Sequence, residues 1–232
     1  MTHLEQELHG LKTDTTEMMK LVQSQLQKAR KSLNDFDKDI IIDVKHVEKR
    51  IDAFELKISM DCENALALFS PVAVDLRFIL SVLKMVTSIE RLGDYAKSVV
   101  SLVGKFQHPV EEDLFNKTEI ITMFEKCELM LDIVETAFET ENSTLARRTF
   151  LLDEEIDAIN IKSEVIVAEW IKQHPEDIMN ALTFLEIIKR LERFGDQLKN
   201  MSHEIIFHTE AKVLKHHKKQ MKIEKDALRG ES

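Results

Sequence analysis

The stretch Glu90-Arg91-Leu92-Gly93-Asp94-Tyr95-Ala96-Lys97 decides the fold, because it returns later in the chain as Glu192-Arg193-Phe194-Gly195-Asp196-Gln197-Leu198-Lys199. The two octapeptides are 102 residues apart and are identical at five of eight positions. Upstream, Glu48–Asp52 is matched by Asp153–Asp157 at a distance of 105 residues. Two landmarks that recur in the same order at nearly the same distance indicate an internal duplication, and they predict two equivalent halves.

Composition and apolar spacing predict that both halves are helical. The 232 residues include only 5 Gly and 3 Pro, far fewer than sheet-based folds with many turns require. Apolar residues recur at steps of three and four, which is the spacing of one helix face. This spacing and its interruptions predict six helices. The second begins at a cap formed by Asp35 or Asp37 and ends at Phe69. The others run from about Leu4 to Leu33, Pro71 to about Lys105, Ile120 to about Asn142, Ser143 to Gln173, and Pro175 to about Lys219.

The prolines and one irregular stretch divide these helices into two sets. Pro71 and Pro175 lie 104 residues apart and mark a hairpin in each half, since proline ends one helix and suits the first turn of the next. Gly104 to Asp113 lacks helical spacing. We therefore predict an all-α fold of two tandem, pseudo-symmetric three-helix bundles: a first repeat over residues 1–105, a linker over 106–113, and a second repeat with a basic C-terminal tail over 114–232.

Each half carries two (Glu/Asp)-x-x-x-Asp motifs, one on either side of its proline. Residues four apart lie on the same helix face. The motif positions lie 19 and 23 residues from Pro71 on both sides, and 17 to 22 residues from Pro175, so an antiparallel hairpin brings them level. The predicted clusters are Glu48, Asp52, Glu90 and Asp94 in the first repeat, and Asp153, Asp157, Glu192 and Asp196 in the second.

Four neighbouring carboxylates need a cation. Even an exposed like-charge pair four residues apart costs about 0.2–0.5 kcal/mol, and burial increases the cost. A nearby Lys or Arg is one candidate counterion, but Arg91 and Arg193 point about 100° away around the helix. Oxygen donors without nitrogen or sulfur favour a hard divalent or trivalent cation such as Mg²⁺, Mn²⁺, Ca²⁺ or iron, with Zn²⁺ also compatible.

Charge and apolar content exclude several classes of protein. With 42 acidic and 32 basic residues the net charge is −10, so we expect no nucleic-acid partner. No apolar run approaches the roughly 18 residues of a membrane span, and the first residues do not resemble a secretory signal. Cys62 and Cys127 lie in helical patterns, as reduced thiols do. These features predict a cytoplasmic protein.

Three functions are compatible with the clusters. The first is a metal-binding regulator without catalysis, because the sequence offers no nucleophile and base pair; we therefore expect no enzyme. The second is a di-iron carboxylate oxidase or metal-storage protein, a class that needs Glu-x-x-His on two helices, which this sequence lacks. The third is a structural scaffold. Outside the clusters, we expect His203 and His208 on the surface and the basic tail, Lys212 to Lys225, in solvent.

The landmarks resemble those of a known family. Pro71-Val72-Ala73-Val74-Asp75-Leu76-Arg77 resembles the P-x-A-x-D-L-R segment of the PhoU family of phosphate-uptake regulators. Glu90–Asp94 and Glu192–Asp196 resemble its E-R-I-G-D segments, and the likeness extends over nearly the whole chain. One departure is Asn160, which stands where the first repeat has Glu55, so the second cluster has one nearby acid fewer.

The resemblance carries specific implications. It implies two stacked three-helix bundles, with iron or another metal at the paired acidic motifs. It also implies a cytoplasmic negative regulator of phosphate-starvation signalling that acts between the phosphate ABC transporter ATPase and a membrane sensor histidine kinase. We further expect a homodimer.

Overall fold

The computed structural model describes residues 2–212, and this part of the chain contains helices and no β-strand. The helices are α1 (His3–Asn34), α2 (Ile40–Phe69), α3 (Ala73–Val103), α4 (Glu112–Lys117), α5 (Ile120–Thr140), α6 (Ser143–Arg147), α7 (Thr149–Gln173) and α8 (Ile178–Glu210), with a 3-10 turn at Pro175–Asp177. The long helices α1, α2 and α3 form the first bundle, and α5, α7 and α8 form the second. The predicted all-α fold of two tandem bundles is confirmed.

α1 begins and ends close to its predicted limits, whereas the predicted start of α2 differs from the observed one. Thr2 and Glu5 form a capping box, in which Glu5 N donates to Thr2 Oγ1 at 3.2 Å and Thr2 N donates to Glu5 Oε2 at 2.8 Å. The predicted cap of α2 at Asp35 or Asp37 is wrong. Asp37 Oδ1 instead accepts a hydrogen bond from Asp39 N at 3.0 Å, which closes a local turn before the helix begins.

The second bundle has one more break than predicted. The helix expected from Ser143 to Gln173 is divided at Arg148, whose N–H donates to Leu145 O at 3.0 Å in a tight turn. Thr149 begins α7, and its hydroxyl donates to Ala146 O at 2.8 Å and lies within hydrogen-bond distance of Ser202 Oγ, at 2.9 Å. These side-chain bonds to the preceding turn and to α8 stabilise the break.

The last helix ends earlier than its predicted limit at Lys219. α8 ends at Glu210, and Ala211 adopts a left-handed conformation with φ 56°. Apart from Lys212, the predicted basic tail lies outside the described residues. Within the predicted linker, residues 112 and 113 already belong to α4, and Phe106 is buried against the core.

The two bundles meet along α3 and α8, the pair of helices with the most extensive contact. At this interface Ser81 Oγ donates to Glu204 O at 3.2 Å, and Lys84 Nζ lies 3.0 Å from Glu204 Oε2. Both octapeptides of the duplication therefore lie on the central helices of the molecule. No helix within residues 2–212 has the length and apolar character needed to cross a membrane.

Candidate metal-binding clusters

Both clusters lie where two helices approach each other closely. A Cβ atom added to Gly93 would lie 3.1 Å from Ile51 Cδ1, and one added to Gly195 would lie 3.2 Å from Ile156 Cδ1. Such distances are shorter than ordinary carbon contacts, so a side chain at either position would require the facing isoleucine to move by a few tenths of an ångström. The repeated glycines thus allow α3 to approach α2, and α8 to approach α7, one residue before the cluster aspartates.

The first cluster consists of Glu48 and Asp52 on α2 and Glu90 and Asp94 on α3. Lys97 bridges the two helices, because its Nζ contacts Glu48 Oε1 and lies 3.0 Å from Asp94 Oδ1. Glu48 and Asp94 therefore face each other across the hairpin, as the spacing about Pro71 predicts.

Glu90 is affected both by burial and by the other carboxylates of this cluster. Burial, which has the largest effect, and the charges of Asp94, Glu55 and Asp52 together raise the pKa of its carboxyl to about 7. A neighbouring anion affects a pKa strongly only at short range. Asp94, Asp52 and Glu55 thus lie close to Glu90. Glu48 is joined to the same cluster through Lys97, which contacts both Glu48 and Asp94.

The second cluster repeats this arrangement with Asp153 and Asp157 on α7 and Glu192 and Asp196 on α8. Lys199 Nζ lies 2.5 Å from Asp153 Oδ2 and 2.9 Å from Asp196 Oδ1. Burial alone would lower the pKa of Lys199, but its hydrogen bonds to Asp153 and Asp196 outweigh burial and raise that pKa. Burial also raises the pKa of Asp153, although Lys199 opposes the shift.

The remaining members of the second cluster interact as their first-repeat counterparts do. Burial raises the pKa of Glu192, and the charges of Asp196 and Asp157 add to the shift. Nearby on α7, the amide oxygen of Asn160 is buried and accepts no hydrogen bond from the described residues. Buried polar atoms normally have a hydrogen-bond partner. Amide oxygens are also among the ligands that hard cations bind.

The donor types suit a hard cation, but the present arrangement is that of an ion-pair network. Within residues 2–212, no three His, Cys, Asp or Glu side chains are placed to hold a metal ion together. In each cluster a lysine ammonium lies among the carboxylates instead. A metal ion bound by these residues would compete with Lys97 or Lys199 for the oxygens that each lysine now contacts.

Lys97 and Lys199 are the residues that sequence reasoning missed. The signal was present, since both matched octapeptides end in lysine three residues after the cluster aspartate. Positions three apart lie on one helix face, which places each ammonium group near its cluster.

The two histidines of α8 are buried, and the prediction of surface positions is wrong. The His203 ring lies 4.9 Å from the Phe150 ring, and the His208 ring lies 5.4 Å from the Phe78 ring, measured between centroids. α8 is enclosed on several sides because it packs against its own bundle and against α3. Burial lowers the pKa of His208.

The fold and the duplicated clusters define an all-α protein of two equivalent repeats, each with a carboxylate cluster on a helical hairpin. The PhoU domain family model matches residues 15–103 and 120–205, so the chain belongs to the PhoU family. It is 29% identical over 214 residues to phosphate-specific transport system accessory protein PhoU homolog 1 of Thermotoga maritima, covering 92% of this chain and 91% of the relative. It is 26% identical over 203 residues to the PhoU homolog of Deinococcus radiodurans, covering 87% and 94%.

Solved structures show the same architecture. PhoU from Pseudomonas aeruginosa superposes with a TM-score of 0.85 at 23% identity, covering 90% of this chain and 100% of that one. The phosphate transport system regulatory protein PhoU from Streptococcus pneumoniae gives a TM-score of 0.79 at 25% identity, covering 91% and 99%. The family resemblance inferred from the motifs is confirmed.

Proposed function

We propose that this protein is a non-enzymatic accessory regulator of phosphate uptake. The observation that carries the proposal is the match of the PhoU domain to both repeats. Relatives that cover most of the chain are named accessory proteins of the phosphate-specific transport system. Among residues 2–212, no observation favours the alternative of a di-iron oxidase or a metal-storage protein.

We further propose that each carboxylate cluster binds one hard metal cation, such as iron, Mn²⁺, Mg²⁺ or Zn²⁺. The first site would use Glu48, Asp52, Glu90 and Asp94, and the second would use Asp153, Asp157, Glu192 and Asp196. The raised pKa of Glu90 supports this, because the charges of Asp94, Glu55 and Asp52 add to the effect of burial. When bound, the metal would supply the positive charge that links the two helices of a hairpin.

We also propose that the protein acts in the cytoplasm, as a negative regulator between the transporter ATPase and a membrane sensor histidine kinase. The relatives' association with phosphate transport supports the first partner. The net charge of −10 favours basic surfaces on either partner. In this proposal the units are residues 1–105 and 114–232, joined by the linker 106–113.

A homodimer is part of the same proposal. Leu56 and Met60 on α2, and Ile161 and Val165 on α7, are each more than half exposed. The two pairs are related by the same distance of 105 residues as the carboxylate motifs. Apolar side chains that recur on the outer faces of both repeats are typical of surfaces that bind another protein.

Two measurements test the proposed function separately. Deletion of the gene should raise phosphate-responsive expression in phosphate-rich medium, and unchanged expression would contradict the regulatory role. Protein purified without chelators should contain metal, and the Asp94→Asn/Asp196→Asn variant should contain less. Equal metal content in the two proteins would contradict the metal sites and leave the regulatory role untouched.

A further inference from the structure

Each carboxylate cluster is bridged by a lysine at the same position of the repeat. Lys97 contacts Glu48 and Asp94, and Lys199 contacts Asp153 and Asp196. The two lysines are 102 residues apart, the distance that separates the octapeptides themselves. The same three-group bridge has therefore been formed twice in one chain.

These bridges differ from ordinary surface ion pairs. Each ammonium group binds one carboxylate on its own helix and a second on the facing helix of the hairpin. The facing carboxylates, Glu48 and Asp153, have side chains only 13% and 3% exposed. Removal of solvent strengthens such interactions and makes an unpaired charge costly. Each lysine thus serves as an internal counterion for a cluster that would otherwise be strongly anionic.

An ammonium group and a metal ion would compete for the oxygens of one cluster. The oxygens that lysine contacts are among the proposed metal ligands, and two cations in one small site repel each other. We propose that Lys97 and Lys199 are tethered counterions that compete with the metal for the cluster carboxylates and so set its apparent affinity. This inference rests on the proposed metal sites, whose regulation it specifies.

The competition is unequal between the repeats. The Lys199 side chain is 21% exposed and binds the almost fully buried Asp153, whereas the Lys97 side chain is 34% exposed. Less exposed ion pairs are less screened by water and salt. Lys199 therefore opposes metal binding more strongly than Lys97 does, and the second cluster is the weaker metal site in the natural protein.

Titration of the full chain with MnCl₂ in a calorimeter tests this proposal. We expect Lys97→Met to tighten binding at the first site by about threefold and Lys199→Met to tighten it at the second by about tenfold, since tenfold corresponds to about 1.4 kcal/mol. Lys97→Arg and Lys199→Arg keep a cation and should bind no more tightly than the natural protein. Lys57→Met is the matched control, because Lys57 also bridges two carboxylates, Asp14 and Asp61, but lies outside both clusters.

The melting temperature is a second measurement, which tests the proposal even if the Met variants are less stable. The melting temperature of metal-free Lys199→Met should fall, and saturating Mn²⁺ should raise it by more than it raises that of the natural protein. If the natural protein binds Mn²⁺ and both Met variants bind it equally or more weakly, the competition is refuted and the metal sites stand. If neither the natural protein nor any variant binds Mn²⁺, the proposed metal sites fail and this inference fails with them.

Discussion

Lys199 Nζ lies 2.5 Å from Oδ2 of the buried Asp153, and this contact ties α8 to α7 at the centre of the second cluster. The corresponding contact of Lys97 with Glu48 ties α3 to α2. In the metal-free chain a lysine therefore links the two helices of each hairpin. In the proposed metal-bound form the same carboxylates would bind a stronger cation, and helix packing in each repeat would then depend on the ions around the protein.

Loss of Lys199 should destabilise the metal-free protein. Lys199→Met leaves Asp153 buried without its counterion, and we expect the free energy of unfolding in urea to fall by about 1–3 kcal/mol. Lys97→Met should cost less, because Lys97 is more exposed. Equal stability of Lys199→Met and the natural protein, measured in the presence of a chelator, would show that the bridge contributes nothing.

The stability of the metal-free protein should depend on the proton of Glu90. Its pKa is raised from 4.5 to about 7 in the folded chain, so between these values the folded state holds a proton that the unfolded chain has lost. Unfolding then releases a proton, and the free energy of unfolding falls as the pH rises from about 5 to 7. At pH values below 4.5 both states are protonated, and the stabilising contribution is fully present.

Urea unfolding at several pH values with a chelator present measures this effect. Glu90→Gln should flatten the dependence between pH 5 and 7, whereas Glu111→Gln, on the exposed stretch before α4, should leave it unchanged. If Glu90→Gln and the natural protein show the same slope over this range, the assignment of the proton to Glu90 is wrong.

The repeated glycines should resist enlargement. Alanine is the better helix former by about 1 kcal/mol, but a Cβ at Gly93 would lie 3.1 Å from the buried Ile51. Overpacking of this kind typically costs 1–3 kcal/mol, so we expect Gly93→Ala to lower the free energy of unfolding despite the helix preference.

A double-mutant cycle separates the clash from other effects. Ile51→Val removes the Cδ1 atom, which is the nearest atom to the new methyl group, and leaves Gln25 Oε1 at 3.2 Å. It should therefore recover part of the stability lost in Gly93→Ala. Gly10→Ala is the control, since a Cβ at Gly10 meets no atom within 4 Å. Strictly additive effects of Gly93→Ala and Ile51→Val would contradict the close approach of α2 and α3.

Local spacing was sufficient to predict that these carboxylates lie near one another, whereas their role as metal ligands stays a prediction. The step of four residues places Glu90 beside Asp94 on one helix face, and equal helical rise on both sides of Pro71 places Glu48 level with Asp94. Both arguments depend on periodicity alone, which sequence displays directly. The duplicated fold was predictable for the same reason.

Contacts between distant elements could not be predicted in this way. Lysine has a long, flexible side chain, so whether Lys97 reaches across the hairpin depends on the helix spacing that Gly93 permits. His203 and His208 are five residues apart and share no single helix face, yet both are buried because α8 packs on more than one side. The break at Arg148 likewise depends on bonds to α8 that sequence spacing does not display.

Metal titration of single-site variants tests the central claim, that each repeat carries one metal site, most directly. Calorimetry with Mn²⁺ should show two sites in the natural protein, with Asp94→Asn weakening only the first and Asp196→Asn weakening only the second. Free metal at 100 times its dissociation constant should also raise the free energy of unfolding by about 2.7 kcal/mol for each intact site. Unchanged stoichiometry and affinity in both variants would contradict the assignment of these carboxylates as metal ligands.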